Sequence, residues 1–139
     1  MKLSKALAAH NLAETCDVVI TPGVFTVRVI RASGDCQAYN AKVAAFAAIN
    51  PNHPIGKPDD PFWRDLTGGA LTADTWPFLR DVLLSDWDLT DDDGNAVPMT
   101  PEAVDEVLGA DHAGRLIAAK LLRAALTPGM FQVELILKN

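Results

Sequence analysis

The chain has 139 residues, 49% of them hydrophobic and 22% charged, enough for one domain with its own core. Two cysteines are too few for a disulfide scaffold, and no apolar run reaches the roughly 20 residues that a membrane-spanning helix needs. A net charge of −6 leaves no basic stripe to neutralise phosphates, so neither nucleic acid nor an anionic membrane surface is an expected partner.

The charge is unevenly placed. Residues 1–58 carry a net +3, residues 59–111 set two cations against fourteen acids, and residues 112–139 carry +3. Such blocks form either a solvated acidic face or oppositely signed surfaces that attract each other, within the fold or between copies.

In chain order, residues 2–14 suggest a short amphipathic helix with Leu3, Ala6, Leu7 and Ala13 on one face. Ser4, Lys5, His10 and Asn11 interrupt it too often for an export signal. Val18 and Ile20, then Phe25, Val27 and Val29, alternate around Pro22-Gly23, which predicts a β-hairpin. Ser33 is the expected cap of a helix over about 34–49, with Tyr39, Val43, Phe46 and Ile49 on one stripe. Asn50-Pro51 ends it. A proline-rich connector spans about 50–61.

Phe62 and Trp63 follow on a short element, where large aromatics serve an interface as readily as a core. The next helix starts near Thr72 or Thr75, and Pro77, tolerable only in a first turn, favours Thr75 as the cap. Trp76, Leu79, Leu83 and Trp87 share its inward face. Asp93-Gly94-Asn95 marks a tight turn, and Thr100-Pro101-Glu102 opens a helix over 101–108. Asp111 caps another, with Leu116, Ile117, Leu121, Leu122 and Leu126 as its apolar positions. Residues 130–139 alternate Phe131, Val133, Leu135 and Leu137, which predicts a C-terminal strand in need of a partner edge. The fold class is therefore α+β: a mostly helical single domain over 1–139, with an N-terminal hairpin and a possible C-terminal strand. Candidate protein-interface residues are Phe62, Trp63, Phe131, Val133 and Leu135.

Signatures of catalysis are missing. His10, His53, His112, Cys16 and Cys36 form no CxxC or HxxxH pair, so no metal is expected and both cysteines read as reduced thiols. Aligning Gly94 with the glycine of a calcium-binding EF-hand loop puts Leu89 first and Thr100 twelfth, where carboxylates are required. Gly68-Gly69 lacks the following lysine of a phosphate loop, and no GxSxG occurs. No cofactor is expected, and the reading is non-enzymatic.

One long stretch carries a family pattern: WPFLRDVLLSDWDLTDDDGNAVPMTPEAVDEVL, from Trp76 to Leu108. An aromatic-led helix runs into Asp86-Trp87, an acidic turn over Asp91 to Gly94, Val97-Pro98, and then Thr100-Pro101-Glu102. This resembles the tail assembly chaperones of long-tailed bacteriophages of the siphophage type. The preceding hairpin and tyrosine-containing helix extend the similarity to about two thirds of the chain. The resemblance implies a protein that works in the host cytoplasm and is absent from the mature virion. It implies self-association, binding to the tape measure protein, and recruitment of major tail tube protein subunits. A structural virion protein, such as a tail completion or head–tail joining protein, is the competing expectation.

Overall fold

The computed structural model describes residues 12–132. They form an α+β fold in which a three-stranded antiparallel sheet packs against helices through one hydrophobic core. Strands β1 (Thr15–Thr21) and β2 (Phe25–Ile30) make the expected hairpin. Val24 N–H donates to the Thr21 carbonyl at 2.9 Å, and Gly23 sits at φ 72°. Proline at the second turn position and positive-φ glycine at the third are what a type II turn requires. Val18, Val27 and Val29 point into the core, while Asp17, Val19 and Arg28 face solvent.

Helix α1 (Gln37–Ile49) begins later than the sequence suggests. Ser33 does not cap it: its hydroxyl goes to Asp35, which also takes an ion pair from buried Arg31 at 2.6 Å. Those two contacts, Ser33 first and Arg31 second, hold the Asp35 carboxyl below its usual range. Arg31 Nε also donates to the Ala13 carbonyl at 3.0 Å, tying the segment before β1 to the end of β2. The proline-rich connector is ordered around a 3-10 turn, Pro54–Gly56. Helix α2 (Pro61–Thr67) follows, capped by Asp60 with Pro61 in its first turn.

The largest departure from expectation lies between Thr72 and Trp87. Thr72, not Thr75, receives the helix-start amides, accepting from Thr75 N–H at 3.1 Å. Thr75 is fully buried, and its Oγ1 accepts from Thr72 N–H while donating to the Ala70 carbonyl. Only four residues, α3 (Thr75–Phe78), are α-helical; Leu79–Leu83 widens into a π-helical turn. The chain then becomes strand β3 (Leu84–Trp87), which pairs antiparallel with β2. Trp87 therefore does not share a helix face with Trp76 and Leu83. It sits opposite Val27, with its ring edge-on to Phe25 at 6.0 Å and its indole N–H donating to the Val97 carbonyl at 2.6 Å.

A register shift between Arg28 and Val29 explains why Leu84 and Trp87, three apart, are both buried. Strict alternation would put them on opposite faces. The π turn likewise buries Leu79, Val82 and Leu83 together. The sheet's third strand thus comes from this segment; the expected C-terminal strand and first helix lie mainly outside the described residues.

Helices α4 (Pro101–Gly109) and α5 (His112–Ala125) start where the sequence places them. Thr100 accepts from Ala103 N–H at 3.1 Å, and Asp111 from Gly114 N–H at 2.7 Å. The pair crosses so closely at Gly114 that a Cβ there would lie 2.6 Å from the Val107 carbonyl oxygen. Beneath the helices, Phe78 meets Phe46 at 5.9 Å and Phe62 at 5.4 Å, all edge-to-face. His53 fits between Phe46 and Phe62, 4.8 Å from each.

Two stability outcomes follow from this packing. Phe78→Ala removes the ring that joins α1, α2 and α3, and is expected to cost about 3–5 kcal/mol in urea unfolding. Gly114→Ala forces α4 and α5 apart and is expected to cost about 1–3 kcal/mol despite alanine's better helix propensity. Gly129, where an added Cβ meets nothing within 4 Å, is the control, and Gly129→Ala should leave the midpoint nearly unchanged.

Candidate protein-interaction faces

Of the five interface candidates, Phe62 and Phe131 belong to the core, 2% and 1% exposed. The correction has a local cause for Phe62: the connector folds back at Pro54–Gly56 and lays His53 over its ring. Phe131 closes a 3-10 turn (Pro128–Phe131) after α5, and its carbonyl accepts from Ala13 N–H at 2.7 Å. Trp63 is half-buried, packed on Phe62 at 5.0 Å, with its indole N–H on the Lys57 carbonyl. Val133 and Leu135 lie outside the described residues.

Ile49, expected on the inward stripe of α1, is 78% exposed, because the helix ends there; besides it, the fold presents two charged surfaces. The first is the outer face of the sheet, where Asp17, Val19, Thr26 and Arg28 stand beside Asp86 and Asp88. Arg28 pairs with Asp17 at 3.0 Å and lies in register with Asp86 on β3. The hydrogen bond that Arg28 donates to Asp17, and then the Asp17 charge, hold the guanidinium more firmly protonated. Asp88 accepts from Thr26 N–H at 2.6 Å, which brings the 90–96 turn to the hairpin end of the sheet. In that turn Asp91 Oδ1 accepts from the N–H groups of Asp93 and Asn95, and Gly94 takes φ 82°. Asp91 is thus turned onto its own backbone, while Asp92 and Asp93 are exposed. Antiparallel sheets commonly keep one face wet, but this one also exposes Val19, and Val24 at the hairpin tip.

The second surface is the outward side of α5. Helical spacing puts His112, Arg115, Leu116, Lys120 and Arg123 on its exposed arc, opposite Ala118, Leu121, Leu122 and Ala125. Leu116, expected in the core stripe, is 58% exposed. Among the described residues Arg115, Lys120 and Arg123 enter no ion pair. Charge summed by region hides this stripe, whereas the helical spacing of Arg115, Lys120 and Arg123 reveals it. Met130, just beyond the helix, is also exposed.

Elsewhere the polar chemistry is structural. His53 Nδ1 accepts from Ile55 N–H at 3.1 Å, which leaves the ring proton on Nε2, donated to the Asp74 carbonyl at 2.7 Å. Arg80 bridges Asp81 and Asp105, and Asp105 also receives the Trp76 indole N–H at 2.7 Å, locking the π turn to α4. Those acids hold Arg80 well above its ordinary pKa, Asp81 contributing most. Among the described residues no three His, Cys, Asp or Glu side chains converge as a metal site would need. Buried Cys36 reaches the Glu14 carbonyl, and Cys16 is half-buried. Compared with protein-family models, with curated proteins and with solved structures, the chain matches none.

Burial first, and the Asp17 charge second, push the Cys16 thiol up, so little reactive thiolate is present at mild pH. Iodoacetamide at pH 8 is expected to alkylate both cysteines several-fold more slowly in the folded chain than in urea. Asp17→Asn should speed Cys16 while leaving Cys36 protected. Rapid labelling of native Cys16 would contradict its placement.

Proposed function

We propose that this chain is a non-enzymatic tail assembly chaperone of a long-tailed bacteriophage. In this reading it acts in the host cytoplasm, self-associates, covers the tape measure protein and recruits major tail tube subunits around it. It is then left out of the mature virion. The observation that carries the proposal is the placement of apolar side chains on solvent. Val19 on the sheet, Val24 at the hairpin tip, Leu116 on α5, Met130 just after it and Ile49 at the end of α1 are all exposed. Each stands singly among charged or polar neighbours, so contacts through them would be small and reversible.

The resemblance over Trp76 to Leu108 supports the same reading. Its acidic turn and its Thr100-Pro101 helix start are formed, while its aromatic-led helix ends at Leu83 and Asp86-Trp87 stand on strand β3. The physical task fits as well. A long helical tape measure exposes apolar stripes before a tube encloses it, and many small acidic copies along it repel aggregation.

Co-expression with overlapping fragments of the tape measure protein from the same genome tests the proposal. At least one otherwise insoluble fragment is expected to become soluble and to co-purify with the chain. Light scattering of the chain alone should show a mass that grows with concentration. Failure with every fragment, together with abundant copies in mass spectra of purified particles, would favour a structural virion protein instead.

A further inference from the structure

The two exposed faces differ in sign and lie on opposite sides of the same core. Helix α5 packs its buried stripe against the inner side of β1 and β2, so its exposed arc points away from the sheet's solvent face. One outer surface therefore presents Asp17, Asp86 and Asp88 around Arg28, the one cation placed there among the described residues. The other presents Arg115, Lys120 and Arg123 around Leu116. Each has an apolar contact point within its charges: Val19 on the sheet, Leu116 on the helix.

We infer that the acidic sheet face of one copy docks on the basic α5 face of the next, giving a head-to-tail interface. The occupant of each surface is a second copy of this chain, chosen by complementary charge. A two-fold dimer would bring like faces together, sheet on sheet or helix on helix, and like charges there oppose association. A heterologous contact instead uses both faces of every copy and leaves one of each sign free at the ends of a row. Rows can therefore lengthen with concentration and follow a long partner, while salt weakens them. This inference deepens the self-association in the proposed function and rests on that part of it.

Charge exchange on the full-length chain provides the test. Lys120→Glu with Arg123→Glu makes both faces acidic, and Asp86→Lys with Asp88→Lys makes both basic; all four side chains are exposed. Circular dichroism melts establish that each double variant is folded, and Lys120→Ala with Arg123→Ala serves as a milder version. In sedimentation velocity each charge-reversed variant alone should associate at least about tenfold more weakly than the parent. An equimolar mixture of the two should regain association, because each acidic face again meets a basic one. If the parent associates but neither reversal weakens it, or mixing restores nothing, the head-to-tail interface is wrong while self-association stands. If the parent remains monomeric at every concentration, self-association itself fails.

Discussion

Strand β2 needs hydrogen-bond partners on both sides, and meeting that need shapes the rest of the molecule. Its side chains Val27 and Val29 are completely buried, so its backbone amides and carbonyls have little access to water. β1 satisfies one edge through a two-residue turn. The other edge is satisfied by Leu84–Trp87, drawn out of a segment whose apolar spacing is that of a helix. The π turn at Leu79–Leu83 makes this transition over five residues without losing burial of Leu79, Val82 or Leu83. Once β3 is fixed, Trp87 is anchored to Val97, and Asp88 is carried to the hairpin tip. The acidic turn is thereby held beside the hairpin end of the sheet, between Leu89 and Val97, which pack against the core.

Much of this was legible in the sequence wherever one short signal decides a conformation. Pro22-Gly23 predicts the hairpin, and Thr100-Pro101 and Asp111 predict the starts of α4 and α5; each is a local matter of dihedral preference or orphan amides. The same signals fail where a longer-range interaction wins. Trp76, Leu79, Leu83 and Trp87 fit a helix face by spacing, yet strand pairing with β2 overrides that pattern for Leu84–Trp87. Ser33 has the right side chain for a cap, but Asp35 and Arg31 claim that corner of the structure.

The candidate site was harder to read, because exposure is a tertiary property. Phe62 stands next to four prolines and invites an interface reading, but the connector folds over it and places it against Phe78 and His53. Leu116 errs in the other direction. Its neighbours Ile117 and Leu121 face inward, but one residue's rotation puts Leu116 among arginines and lysine. Regional charge gave the sign of each surface but not its location. The sheet and α5 turn a linear alternation of basic, acidic and basic blocks into two faces across a core.

The central claim is that function resides on these outward faces and not in a cleft. Zero-length carbodiimide crosslinking of a mixture of light and nitrogen-15-labelled chains tests it most directly. The account predicts mixed-isotope crosslinks joining Lys120 of one copy to Asp86 or Asp88 of another, diminishing as salt is raised. Copies that associate yet yield mixed-isotope crosslinks only between other surfaces, unaffected by salt, would contradict it.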